Sequence, residues 1–159
     1  MTSKKLISTI GCIVFFFFGS CSTYQKPYLV IQACFKNEFD KSLVLRSMIK
    51  QTATELNLSA VDHSAETIQQ LEISQSDGKN SNKVTQSINM GLDRGKITKL
   101  VVSDLGLGER EVLFSFFGNP RDTKDFRLSK NIVGKLSKFG TFKEISVHEG
   151  ARADGKCAL

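Results

Sequence analysis

The chain predicts an α+β fold, a mixed, largely antiparallel sheet with two amphipathic helices on one face. Three observations carry that expectation. Residues 28–35 (YLVIQACF) form an unbroken apolar run of strand length. Leu45, Met48, Ile49, Ala53 and Leu56 then recur at helical spacing, as one stripe of an amphipathic helix. Further on, residues 97–103 and 112–117 are two more strand-length runs separated by a glycine-rich connection.

Taken in order, residues 28–35 read as a central strand buried on both faces. Asn37 can cap the first helix, with Asp40 three residues on as a capping-box acid. Asn57 is a natural stop, and residues 58–61 fit a short second strand. Residues 64–71 read equally well as a short helix or an edge segment. Residues 75–83 are a polar loop, and 84–92 alternate weakly. The strands at 97–103 and 112–117 are joined by a hairpin-type connection over 104–108. Asp122 or Thr123 can cap a second helix, with Phe126, Ile132, Val133 and Leu136 toward a core and Gly140 as its C-terminal stop. Residues 142–148 alternate apolar and polar, as a half-solvated last strand should. Strand, helix, strand, antiparallel strands, helix, strand is a loosely ferredoxin-like layout.

The N-terminus has a different character. Lys4 and Lys5 precede an apolar stretch from Leu6 to Phe18, about 13 residues or ~20 Å as a helix. That is short of a ~30 Å hydrocarbon core and fits a signal-peptide segment over residues 1–20. Phe18-Gly19-Ser20-Cys21 resembles the lipobox of bacterial lipoproteins, with Phe18 where the family usually has Leu or another aliphatic residue. The resemblance implies that Cys21 receives diacylglycerol and palmitate and becomes the first mature residue. It also implies that Ser22, in place of a retention Asp, directs the protein to the outer membrane if the source is Gram-negative. Residues 21–27 would then be the lipidated cysteine and a short tether, and residues 28–159 a single α+β domain.

Removing residues 1–20 takes away Lys4 and Lys5 and no acid, so 22 basic residues become 20 against 16 acidic ones. That mild balance implies a solvated surface with some preference for anionic lipid or polymer. The export signal argues against nucleic acid. Cys34 and Cys157 are left over after Cys12 leaves and Cys21 is acylated, and an even remainder in an oxidising compartment predicts a bridge.

Chemistry-bearing residues are sparse. Asp62-His63-Ser64 are consecutive, and side chains adjacent on a strand diverge, so a catalytic triad is not expected. Asp62, His63, His148 and Glu149 could form a metal-dependent hydrolase site if the second and last strands were neighbours. The segment at 106–110 (GLGER) lacks a third glycine and a following helix, so no dinucleotide cofactor is expected. Glu109 and Glu111 read as a solvated turn. Leu113 and Phe117 alternate away from Phe114 and Phe116, which leaves open either two-face burial or a partner surface opposite the helices.

These readings predict a membrane-anchored envelope lipoprotein that serves as a non-enzymatic binding or assembly module. Its partners would be membrane lipid, through acylated Cys21, and an envelope protein or cell-wall component. No cofactor or metal is expected, and the hydrolase is the alternative.

Overall fold

Strand β1 (Leu29–Phe35) runs between β5 (Glu111–Phe116) and β6 (Gly140–Ile145), antiparallel to both. The computed structural model describes residues 25–76, 87–104 and 110–145. Among these, α1 (Lys41–Leu56), β2 (Ser59–Asp62), α2 (Ser64–Ser76), β3 (Asn89–Arg94), β4 (Ile97–Ser103) and α3 (Thr123–Leu136) complete the fold. The six strands form one antiparallel sheet in the order β2-β3-β4-β5-β1-β6. β5, α3 and β6 form a split crossover around β1, which is the part that most nearly matches a ferredoxin-like layout.

The alternation of β1 explains why it carries no polar stripe. Ile31, Ala33 and Phe35 join Val112, Phe114 and Phe116 of β5 in the main core, with Leu45, Met48 and Ile49 of α1 and Leu128, Ile132 and Leu136 of α3. Val30 and Gln32 point to the opposite face and are buried as well. Both helices therefore pack on one face, as the apolar spacings predict. Side chains of Phe size buried this way each contribute about 2–3 kcal/mol of transfer free energy.

The structure corrects three details of the sequence reading and resolves a fourth. α1 begins one turn later than Asn37 implies: Asp40 is its N-cap, and the carboxylate accepts the Leu43 N–H at 3.0 Å. Residues 36–39 form a turn instead, which sets the Phe39 ring edge-on to Phe139 at 5.2 Å. At the other end Asn57 takes the left-handed conformation expected of a helix stop.

Gly140 does not end the second predicted helix. α3 stops at Leu136, capped by Ser137, and Gly140 opens β6. A Cβ there would lie 1.9 Å from the Cys34 carbonyl oxygen, so the glycine is required by close strand approach. Phe126, expected in the core, is half exposed, and Asp125 points inward in its place. The ambiguous segment after β2 is the third helix, α2. Its buried face is made by Ser64 and Thr67, which accept hydrogen bonds from the backbone N–H and side chain of Asn89 at 3.0 and 2.9 Å.

Two glycine substitutions should therefore act in opposite directions. Gly140→Ala should destabilise the protein by about 2 kcal/mol or more through overpacking against the Cys34 carbonyl. Gly134→Ala, in α3 with open space around it, should stabilise by about 0.5–1 kcal/mol. Urea titration of the two variants checks both signs.

Candidate functional site

The acid and histidine singled out in the sequence sit at the start of α2 and are already engaged. Asp62 ends β2, accepts the Ser64 N–H at 3.1 Å and so supplies a capping interaction, while its other oxygen pairs with Arg46 of α1. His63 meets Glu66 at 2.8 Å on an exposed turn. β2 is the edge strand farthest from β6, so the neighbour relation needed to bring His148 and Glu149 beside them is not the one seen. His148 and Glu149 themselves lie outside the described residues, as do Cys21, Cys157, Glu109 and the 106–109 stretch. Among the described residues no three His, Cys, Asp or Glu side chains gather as a metal-binding group.

Glu111 is buried in β5 and is not part of a solvated turn. Leu113 and Phe117 are half-buried, so the sheet face opposite the helices offers no open apolar patch at those positions. On that face Gln32 is fully buried, and among the described residues neither amide atom has a hydrogen-bond partner. Cys34, two residues on, is disulfide-bonded.

The strongest convergence of charge lies at the other end of β1, around Asp125. Its side chain is in the first turn of α3 and only 2% of the residue is exposed. One carboxylate oxygen receives Lys99 Nζ at 3.1 Å and the Asn119 backbone N–H at 3.0 Å, and the other receives Arg94 at 3.2 Å. The Tyr28 hydroxyl donates to the Asp125 carbonyl at 3.2 Å. Lys99 is the extra residue of a β-bulge: Leu92 pairs with Leu100, but Asp93 pairs with Thr98. Bulges re-aim side chains, and here the ammonium reaches under α3. Gly118, at φ +125°, leaves the room for this, because a Cβ would lie 2.2 Å from Asp125 Oδ2 and 2.9 Å from Lys99 Nζ.

Burial by itself would push the Asp125 carboxyl up. The Asn119 N–H and the Lys99 and Arg94 charges outweigh that and hold it below the ordinary value of 3.8. Tyr28 moves the other way: burial raises its hydroxyl, a hydrogen bond with Ser129 opposes the rise, and the Asp125 charge adds to it. An ionised acid held by two cations and a backbone N–H has its acceptor sites filled. This chemistry clamps structure rather than exchanging protons.

A second polar cluster joins α1 to α3. Thr52 donates to Asn131 at 3.2 Å, and Lys135 bridges Thr52 at 3.0 Å and Glu55 at 2.8 Å. Hydrogen bonds from Lys135 and Asn131 hold the Glu55 carboxyl below its ordinary value. Beside it, Leu43, Val44, Met48 and Phe139 line an open groove of about 370 Å³ whose rim carries Lys135 and Lys138.

No protein-family model matches the chain, and neither curated proteins nor solved structures include a match to it.

Because the folded-state carboxyl of Asp125 is depressed, its contribution to stability is complete above the ordinary carboxylate range and is lost as pH falls through its lowered value. Asp125→Asn should cost about 3 kcal/mol near neutral pH, by leaving Lys99 buried without its counter-charge. The gap between wild type and variant should begin to close only below about pH 4. Urea titrations of both proteins across that range measure it, and a gap independent of pH would contradict the ionic account.

Proposed function

We propose that this protein is a lipid-anchored envelope protein whose α+β domain acts as a non-enzymatic binding or assembly module close to the membrane. The observation that carries the reading is the succession of Lys4 and Lys5, the apolar stretch from Leu6, and Phe18-Gly19-Ser20-Cys21, which resembles a lipobox. Acylation of Cys21 with diacylglycerol and palmitate would supply the multiple chains that stable anchoring needs. Ser22 favours the outer membrane if the source is Gram-negative. The domain's role would be that of a tethered module, with a raised effective concentration for an envelope protein or wall component.

Two features of the fold support a binding module over the hydrolase. Asp62 is engaged in a cap and an ion pair with Arg46, and His63 in a hydrogen bond with Glu66. Large apolar side chains stand exposed on α1, α2, α3, β4 and β6. The disulfide at Cys34 fits an oxidising compartment. Its proposed partner is Cys157, a link that would tie the C-terminal segment to β1 on the face away from α1 and α3.

Cys21→Ala should abolish palmitate labelling and move the protein out of the membrane fraction or block its processing. A labelled band persisting in that variant would overturn the lipidation. Peptide mapping without reduction should recover a peptide pair joining Cys34 to Cys157, lost on adding dithiothreitol. A pair containing Cys21 instead would exclude both the bridge and the acylation as proposed.

A further inference from the structure

One end of the sheet gathers features that the anchoring reading alone does not require. The described chain enters the fold there, since Tyr28 donates to the Asp125 carbonyl and its ring lies 6.4 Å from that of Phe116. The β3–β4 hairpin tip is at the same end, because Arg94 reaches Asp125 and pairs with Ile97 across the turn. The first turns of α3 complete it. Phe126 and Ile97 are 50% and 53% exposed. Lys26, Lys96, Arg121, Lys124 and Arg127 are exposed around them. Among the described residues the acids at this end are Asp93, Asp122 and Glu144, with Asp122 serving as the α3 N-cap and Asp125 neutralised by Arg94 and Lys99. Lys130 lies 5.5 Å from the Phe126 ring centre and adds a further cation one turn along.

We infer that this end of the domain is a membrane-docking surface, in which Phe126 and Ile97 enter the headgroup region of an anionic bilayer and the surrounding cations meet lipid phosphates. Exposed aromatic and aliphatic groups ringed by Lys and Arg are the composition that interfacial binding uses. The position of Tyr28 selects bilayer over other anionic partners. Cys21 is seven residues before it, at most ~25 Å of extended chain, so a membrane-held N-terminus brings this end of the domain toward the lipid first. Leu43, 68% exposed near the start of α1, lies beyond the opposite end of β1 and serves as the internal control. The inference rests on attachment of the N-terminal segment to a membrane, but not on acylation as its chemistry.

The test uses the full chain reconstituted in vesicles of phosphatidylethanolamine with phosphatidylglycerol, or of phosphatidylcholine alone. Photoreactive benzoylphenylalanine replaces Phe126, Ile97 or Leu43, one per protein; all three positions are exposed, so the fold tolerates the probe. Positions 126 and 97 should give lipid adducts in the phosphatidylglycerol vesicles and position 43 should not. Lys124→Gln with Arg127→Gln should lower the adduct yield at 126 by about fivefold for each cation removed. Equal yields at all three positions, or no dependence on phosphatidylglycerol, would overturn the inference. The same probes irradiated in whole cell envelopes would also overturn it if position 126 crosslinked to protein and not to lipid. Adducts at 126 in a chain that takes up no palmitate would uphold docking while refuting acylation. Palmitate uptake without adducts at 126 or 97 would do the reverse.

Discussion

The buried carboxylate of Asp125 ties together parts of the chain that have no other reason to meet. Arg94 ends β3, Lys99 bulges from β4 and Asn119 lies in the loop before α3, while Tyr28, just before β1, donates to the main-chain carbonyl of the same residue. Each of the first three contributes one donor to the carboxylate. Removing any one of them leaves the rest with a charge that the low-dielectric interior does not tolerate well. An isolated carboxylate would be far too costly to bury, and only the full set of donors makes the site neutral enough to lie under a helix. The interaction thus specifies geometry more than it adds stability: it fixes the register of the β4 bulge, the rotation of α3 and the point where the chain enters the sheet.

A second set of contacts joins the two helices differently. Thr52, Glu55, Asn131 and Lys135 link α1 to α3, with Thr52 buried, Asn131 and Lys135 part-buried and the Glu55 carboxylate exposed to water. Toward the start of α1 the contacts are apolar, with Met48 and Ile49 in the same core as Ile132, Leu136, Phe114 and Phe116. The helical layer thus holds one ionic cluster around a buried carboxylate and one whose carboxylate faces water. The open groove lies toward the start of α1 and the end of α3.

How much of this could be read from the residues depended on whether apolar patterning alone decided the element. It did for β1, α1, β4 and β5, where the spacing is unbroken. It was weaker for α2, whose buried positions are Ser64 and Thr67; hydroxyls there satisfy Asn89 rather than fill a core. It misplaced the α1 start because Asn37 and Asp40 are both good caps, and the Phe39–Phe139 contact decided between them. Lys99 and Asp125 could not be found at all from local pattern. A lysine in a strand and an aspartate in a first helical turn both look solvated until the fold brings them 3.1 Å apart. The one available hint was Gly118, a glycine just after a strand whose need only the three-dimensional packing explains. Cys34 is disulfide-bonded, whereas Cys21 and Cys157 lie outside the described residues.

The inversion at residues 125 and 126 links the fold to its surface. A helix presents neighbouring residues about 100° apart, so rotating α3 to bury Phe126 would turn Asp125 toward solvent. The core would gain an aromatic ring, and the first turns of α3 would show an acid where they now show Lys124, Phe126 and Arg127. The observed rotation does the opposite: Arg94 and Lys99 neutralise the acid inside, and the ring stays out among cations. Exposing Phe126 forgoes up to about 2–3 kcal/mol of burial, and the four donors around Asp125 are what hold the helix in that rotation. The interaction that organises the interior is therefore the same one that makes the end of the domain nearest the N-terminal segment basic and apolar.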